Sequence, residues 1–261
     1  MYSPIGIFDS GIGGTSIWKE IATLLPNENT IYLADSLNAP YGEKSPKKII
    51  EFSIKNTELL LNKGCKLIVV ACNTATTNAI EFLRNTYDVP FIGIEPAIKP
   101  AALKTKTNSI GILATKGTLS SALFSKTSEL FAANIQVTEQ VGKGLVQLIE
   151  SGKLHSDEMN QLLTKHLKPM LVNNIDYLVL GCTHYPYLIP QIQNIVGDKV
   201  QIIDSGLAVA KQTKAILEQY QLENTSTQKG KHHFYINTGV DVLEDILGGV
   251  KSEITIQRFD F

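Results

Sequence analysis

Short apolar runs alternate with segments of helical periodicity along the whole chain. This alternation predicts an α/β protein in which parallel strands carry helices on both faces. The predicted strands span residues 5–8, 30–34, 67–71, 91–94, 109–113, 135–139, 177–180, 200–203 and 233–236. The predicted helices span residues 13–25, 74–84, 117–131, 145–150, 157–172, 186–195, 207–220 and 241–247, with one more between Ser45-Pro46 and Gly64. We expect ligands to bind at the carboxyl ends of these strands.

The second half of the chain repeats the first. Residues 67–74 (LIVVACNT) and 177–184 (YLVLGCTH) each give an apolar run, a small residue, a cysteine and small polar residues. Cys182 lies 110 residues after Cys72, and Ile110 lies 105 residues after Ile5 in an upstream pair of similar strands. The duplication predicts two similar parallel-sheet α/β domains with the active site between them. We expect the first to comprise residues 1–97 plus 207–261, because the tail has no counterpart in the first copy, and the second to comprise residues 98–206.

The matched cysteines are the main candidates for chemistry. Cys72 ends a strand and precedes Asn73-Thr74, which are suitable helix caps, and Cys182 precedes Thr183 and a helix expected from Pro186. A helix N-terminus lowers the pKa of a thiol. A buried cysteine can also be inert packing, but two thiols at matched strand ends favour a shared site. Two opposed thiols suit chemistry that treats both faces of a substrate alike. Cys65 matches no such position and is interpreted as packing.

Three further motifs admit more than one interpretation. Residues 11–14 (GIGG) follow a strand, but a dinucleotide loop would need a third glycine where Ser16 stands. The alternative is a tight loop that holds Asp9 and Ser10 and leaves N–H groups free for a carboxylate. His184 could shuttle protons beside Cys182, or pack in the core, or bind zinc, but no second ligand pair follows, so we expect no metal. Residues 232–233 (HH) are interpreted as surface and edge positions of a late strand.

Composition narrows the function classes. The chain has 261 residues, 43% hydrophobic and 19% charged, and a net charge of −1, so we expect no nucleic-acid partner. No apolar run approaches the roughly 18 residues that span a bilayer, so we expect no membrane association. Residues 1–4 lack the basic start of a signal peptide, and three cysteines without paired spacing fit a reducing compartment, so we expect a cytoplasmic protein.

Five motifs together are specific to one enzyme family. They are residues 9–14 (DSGIGG), 40–45 (PYGEKS), 71–76 (ACNTAT), 181–186 (GCTHYP) and 204–205 (DS). Their order and spacing resemble those of the glutamate racemases of the aspartate/glutamate racemase superfamily. Asn38 departs from the family, which often has an arginine there, as do Thr15 and Trp18, where aliphatic residues are usual.

The resemblance implies a function and a set of site residues. It implies interconversion of L- and D-glutamate without a cofactor, supply of D-glutamate for peptidoglycan, and a homodimer. Cys72 would deprotonate D-glutamate with help from Asp9, and Cys182 would deprotonate L-glutamate with help from His184 and Glu150. The substrate-binding residues it implies are Asp9, Ser10, Pro40, Tyr41, Gly42, Asn73, Thr74, Thr76, Thr115, Thr118, Thr183 and His184.

Three alternatives remain at this stage. A racemase of the same superfamily could act on aspartate or another acidic amino acid, because side-chain length cannot be measured from sequence. A thiol hydrolase could use one cysteine with His184 as base, although it would leave the second thiol unexplained. A non-catalytic two-domain binding protein would need neither thiol.

Overall fold

The computed structural model describes residues 3–94, 97–248 and 252–261. Residues 1–2, 95–96 and 249–251, which fall within the expected domain ranges, lie outside the described residues. The strands are β1 (Ile5–Asp9), β2 (Thr30–Ala34), β3 (Leu67–Val70), β4 (Phe91–Gly93), β5 (Ser109–Ala114), β6 (Gln136–Val141), β7 (Tyr177–Gly181), β8 (Gln201–Ile203), β9 (His232–Ile236) and β10 (Ile254–Arg258). The α-helices are α1 (Thr15–Leu24), α2 (Pro46–Asn62), α3 (Asn73–Thr86), α4 (Ile98–Lys104), α5 (Lys116–Leu119), α6 (Ala122–Ala132), α7 (Leu145–Glu150), α8 (Asp157–Val172), α9 (Ile189–Val196), α10 (Gly206–Gln219) and α11 (Asp241–Leu247).

The strands form two parallel sheets of related topology. One has the order β10-β9-β2-β1-β3-β4 and the other the order β6-β5-β7-β8. All the pairings within them are parallel. In both copies the second strand pairs with the first, the first with the third and the third with the fourth. The predicted α/β class with two parallel sheets is therefore confirmed, and the shared strand order agrees with a duplication.

The central strands are buried on both faces. Every residue of β1 and β3 is buried, as expected where helices cover both sides of a parallel sheet. Alternate side chains point to opposite faces: Ile7 and Val69 belong to one apolar cluster, and Phe8 and Val70 to another. Because the strands themselves are buried among apolar residues, polar side chains can collect where these strands end and the chain leaves the sheet.

The C-terminal segment adds two strands to the first sheet. β9 pairs with β2, β10 pairs with β9, and α10 packs along α1. This pairing supports our proposal that residues 1–97 plus 207–261 form one domain and residues 98–206 the other. Within the described ranges no helix is both long and apolar enough to cross a membrane.

Three local predictions were wrong or incomplete. The helix predicted over residues 117–131 is two helices, because the Ser121 hydroxyl accepts the Phe124 N–H and caps a new one. The helix predicted from Pro186 begins as a 3-10 turn over Tyr185–Leu188 before α9. The histidine pair is not at an edge, because β10 covers β9 and His232 is buried. Cys65 is buried among apolar residues, as predicted.

Candidate active site

Four chemically active segments meet between the sheets because each leaves a central strand. Asp9 is the last residue of β1, Cys72 follows β3, Thr115 follows β5 and Cys182 follows β7. β1 pairs with β3 and β5 pairs with β7, so each sheet brings two of these segments side by side. Asp9, Cys72 and Cys182 are all buried.

The glycine-rich loop after β1 lets the second domain approach closely. A Cβ built on Gly11 would lie 1.9 Å from Glu150 Oε1, and one on Gly13 would lie 2.2 Å from His184 Nδ1. A Cβ on Gly14 would lie 2.7 Å from the Asp9 Cβ. The loop N–H groups do bind carboxylates, but those of the chain itself. Gly14 donates to Asp9 Oδ2 at 2.8 Å, and the residue between the first two glycines donates to Glu150.

Cys72 is held as a neutral thiol next to Asp9. It is the N-cap residue of α3, and its Sγ lies 3.6 Å from Ser10 Oγ. Burial raises the pKa of the Cys72 thiol well above its usual value, and the charge of Asp9 raises it further. The Ala75 N–H in the first turn of α3 lowers this pKa, as expected at a helix N-terminus, but the two other effects outweigh it. Burial likewise raises the pKa of Asp9.

Cys182 has a different partner, a buried imidazole. His184 Nδ1 lies 3.8 Å from Cys182 Sγ, and its Nε2 lies 2.5 Å from Glu150 Oε1. Burial lowers the pKa of His184, but hydrogen bonds to Cys182 and Glu150 and their negative charges outweigh it, so the pKa lies well above its usual value. The raised pKa favours the cationic form of His184, which lies between the Cys182 sulfur and the Glu150 carboxylate.

Glu150 reaches this site from α7 and is held by the first domain. Its Oε1 accepts the Ile12 N–H at 2.7 Å in addition to His184, and its Oε2 accepts the Ser36 hydroxyl at 2.7 Å. The sequence motif around Glu150 is short, yet the structure places this residue in contact with His184. Ser36 and the Ile12 N–H were not among the predicted site residues, because they become partners of Glu150 only when the two sheets come together.

Asp9 connects the two thiol segments. Its Oδ1 lies 3.4 Å from Ser10 Oγ on the Cys72 side and 3.4 Å from Thr183 Oγ1 on the Cys182 side. Because one carboxylate touches both segments, the two thiols belong to a single site.

Comparison with known proteins identifies the family of the chain. The sequence profile of the Asp/Glu/Hydantoin racemase family matches residues 5–213. The chain belongs to this family. It is 45% identical over 238 residues to the glutamate racemase of Ectopseudomonas mendocina, covering 91% of this chain and 90% of that protein. The resemblance found in the motifs is thus confirmed.

Solved racemase structures share the fold over nearly the whole chain. Glutamate racemase isoform RacE1 from Bacillus anthracis superposes with a TM-score of 0.88 at 31% identity, covering 99% of this chain and 98% of that one. The Escherichia coli glutamate racemase, solved with L-glutamate and the activator UDP-MurNAc-ala, superposes with a TM-score of 0.86 at 32% identity, covering 99% and 98%.

In this racemase fold, hydroxyl groups from both domains meet at the first turn of α3, the helix of which Cys72 is the N-cap residue. Thr74 Oγ1 lies 2.7 Å from Thr115 Oγ1 and 3.3 Å from Thr118 Oγ1, and the last two lie 3.0 Å apart. Gly42 touches the Thr115 side chain, since a Cβ built there would lie 2.7 Å from the Thr115 Cβ. Pro40, Gly42 and Thr115 also line a cavity of about 570 Å³ between the domains.

Asn73 has a side chain ready for a ligand. It is buried, and its Nδ2 has no hydrogen-bond partner within the described residues. A buried amide without a partner is costly unless a ligand or water satisfies it. This observation supports the prediction that Asn73 binds substrate.

Two predicted binding residues use their polar groups elsewhere. The Tyr41 hydroxyl donates to Asp35 Oδ2 at 2.5 Å and accepts from Asn56 at 3.1 Å. The Thr76 hydroxyl donates to the Val70 carbonyl at 3.1 Å and accepts the Ile94 N–H at 2.9 Å. These contacts fix the Pro-Tyr-Gly loop and join β3 to the end of β4. Any role of these two residues in binding stays a prediction.

The described part of the chain contains no group of three or more His, Cys, Asp or Glu side chains arranged for a metal ion. Asp204, from the motif at residues 204–205, accepts the N–H of Gly206, the first residue of α10, at 2.7 Å. The chemistry of the site is thus that of two thiols, two carboxylates and one imidazole.

Proposed function

We propose that Cys72 and Cys182 interconvert L-glutamate and D-glutamate by exchanging the α-proton across the two faces of the substrate. The reaction itself is that of the glutamate racemases to which the chain is 45% identical over 91% of its length. The observation that carries the mechanism is the pair of buried thiols between the sheets, each with its own proton partner.

From L-glutamate, the Cys182 thiolate takes the α-proton. The Cα–H bond breaks, an S–H bond forms, and the electron pair stays on the substrate, where the α-carboxylate delocalises it. The Cys72 thiol then gives its proton to the opposite face, which yields D-glutamate and a Cys72 thiolate. The raised pKa of Cys72 suits this direction, because it keeps that thiol protonated until the carbanion forms.

From D-glutamate, the same steps run in reverse. Asp9 takes the proton from Cys72 to generate the attacking thiolate. Because burial raises the pKa of Asp9, its carboxylate is a stronger base than an exposed one. In this direction His184, held by Glu150, first gives its proton to Cys182, and the Cys182 thiol then protonates the opposite face of the carbanion and becomes a thiolate. Neither enantiomer needs a cofactor in this scheme.

Neutral donors bind the substrate. The candidate donors are the hydroxyls of Ser10 and Thr183, which contact Asp9, the hydroxyl cluster of Thr74, Thr115 and Thr118, and the unpaired amide of Asn73. Lysine or arginine side chains would also stabilise the ground-state glutamate, whereas only preferential stabilisation of the transition state speeds the reaction. Neutral donors avoid this extra stabilisation of the ground-state glutamate.

The cell would use the product, D-glutamate, for peptidoglycan synthesis. We propose that the protein works in the reducing cytoplasm, because an oxidised thiol can neither accept nor donate the α-proton. All three cysteines of the chain are free and buried.

We also propose a homodimer. Helices α4 and α6 lie side by side and expose Leu103, Leu130 and Phe131, an apolar surface that a second copy could cover. Light scattering should give twice the chain mass, and Leu130→Glu should lower it. Val172→Glu, at an equally exposed position on α8, is the control. A wild-type protein of single-chain mass would contradict the proposal.

The decisive experiment is incubation with L-glutamate in deuterated water, with chelator and without added cofactor. Optical activity should vanish while deuterium enters Cα. Unchanged optical activity would contradict racemisation, and loss of activity on chelation would contradict the metal-free mechanism.

Two further measurements address the alternatives. The rates of racemisation of L-glutamate and L-aspartate should be compared. We expect L-glutamate to turn over faster, and faster turnover of L-aspartate would favour an aspartate racemase. A covalent acyl-enzyme detected by mass spectrometry would favour a thiol hydrolase instead.

A further inference from the structure

Ser36 lies between the two domains at a point that the catalytic steps above do not use. It opens a 3-10 turn over Ser36–Asn38, directly after β2, and its hydroxyl donates to Glu150 Oε2 at 2.7 Å. The other carboxylate oxygen, Oε1, faces His184 Nε2 and the Ile12 N–H. Ser36 is thus the first-domain side chain that binds Oε2, the carboxylate oxygen of Glu150 that does not contact His184.

The position of Ser36 is itself fixed by Asn237, beyond β9. The Asn237 side-chain oxygen Oδ1 accepts the Leu37 N–H at 2.9 Å, and the Asn237 Nδ2 donates to Asp35 Oδ1 at 2.6 Å. Both neighbours of Ser36 are therefore bound to one buried side chain of the C-terminal segment. Asp35 also accepts from Tyr41 at 2.5 Å, which ties the turn to the Pro-Tyr-Gly loop.

We propose that Ser36 is a positioning residue for Cys182, acting through Glu150 and His184 when the domains are closed. The inference rests on the proposed racemase function. A donor on each carboxylate oxygen prevents Glu150 from rotating, so its Oε1 stays in contact with His184 Nε2. His184 Nδ1 then stays aimed at Cys182 Sγ, 3.8 Å away.

The polar partners of Cys72 are Ser10 and Asp9 of its own domain, and Asp9 contacts the second domain through Thr183 Oγ1, 3.4 Å away. Loss of the Ser36 hydroxyl should therefore slow proton transfer at Cys182 and leave transfer at Cys72 unchanged. This asymmetry separates positioning of one thiol from a general effect on the site.

The test compares Ser36→Ala with Ser36→Thr, which restores the hydroxyl. Ser125→Ala, an exposed helix position on α6, is the control for loss of a serine hydroxyl. The readouts are kcat and the primary isotope effect with α-deuterated substrate, measured separately for each enantiomer.

We expect Ser36→Ala to lower kcat about tenfold, the effect of one hydrogen bond to a charged group. The isotope effect should rise for L-glutamate, because abstraction by Cys182 becomes more rate-limiting, and fall for D-glutamate. Ser36→Thr and Ser125→Ala should behave like wild type.

Three results would overturn the inference. They are wild-type rates in Ser36→Ala, equal changes of the isotope effect for both enantiomers, and a Ser36→Thr protein as slow as Ser36→Ala. A wild-type protein that leaves glutamate unchanged would instead overturn the proposed function, and this inference with it.

Discussion

Substitution of Gly13 by alanine should inactivate the enzyme without unfolding it. A Cβ at this position would lie 2.2 Å from His184 Nδ1 and 2.4 Å from its Cγ. Nonbonded heavy atoms prefer separations of about 3.5 Å, so the imidazole would have to retreat by roughly 1 Å. The backbone conformation does not itself require a glycine at residue 13, because Gly13 does not have a positive φ.

The imidazole cannot retreat without losing its partners. Its Nε2 is 2.5 Å from Glu150, and its Nδ1 faces Cys182 at 3.8 Å. A misplacement of about 1 Å at a catalytic group costs on the order of 100-fold in rate, and this is the loss of kcat that we expect from Gly13→Ala. The kcat/KM values of the two directions should fall together, since their ratio is fixed by an equilibrium constant near one.

The assay is the change in ellipticity or optical rotation of L- and D-glutamate, with far-ultraviolet circular dichroism and the melting temperature as measures of folding. Gly239→Ala is the matched control, because a Cβ there meets no atom within 4 Å. Wild-type kcat in Gly13→Ala would refute the view that this glycine makes room for His184. Equal losses in both variants would show that the assay responds to any added methyl group.

Three further predictions concern single side chains. Cys72→Ser and Cys182→Ser should each nearly abolish racemisation, whereas Cys65→Ser should keep it, and activity in either of the first two would rule out two thiol bases. His184→Asn should raise the α-deuterium isotope effect for L-glutamate and lower or preserve it for D-glutamate, whereas equal changes would indicate a general role. Burial raises the pKa of Cys65 to about 12, so its contribution to stability is complete below the unfolded-state pKa of about 9 and declines as pH rises towards 12. Cys65→Ser should therefore lose stability less steeply than wild type between about pH 8 and about pH 11, as measured by denaturant unfolding.

The sequence predicted the strand ends well for a physical reason. Strands buried on both faces appear as unbroken apolar runs, and each ends where polar residues begin, so the positions of Asp9, Cys72 and Cys182 followed from local pattern alone. The repeat of one such run, 110 residues later, also indicated the two-sheet architecture.

Contacts between distant segments could not be predicted in this way. The bonds from Glu150 to Ser36 and to the Ile12 N–H join positions 114 and 138 residues apart, and no local pattern marks them. β10 was also missed, and with it the burial of His232, because a strand on the outer edge of a sheet carries polar residues at several positions. The need for glycines at residues 11–14 became clear only from the structure, because Cβ atoms there would collide with Glu150, His184 and Asp9.

The placement of β9 and β10 has a genetic consequence. A nonsense mutation just before β9 would leave both thiols, Asp9, Glu150 and His184 in the truncated chain. It would also expose the outer edge of β2, with its row of unpaired backbone groups. Open strand edges of this kind promote aggregation of newly made protein. Such an allele should therefore behave as a complete loss of the enzyme, although every residue that handles a proton is still encoded.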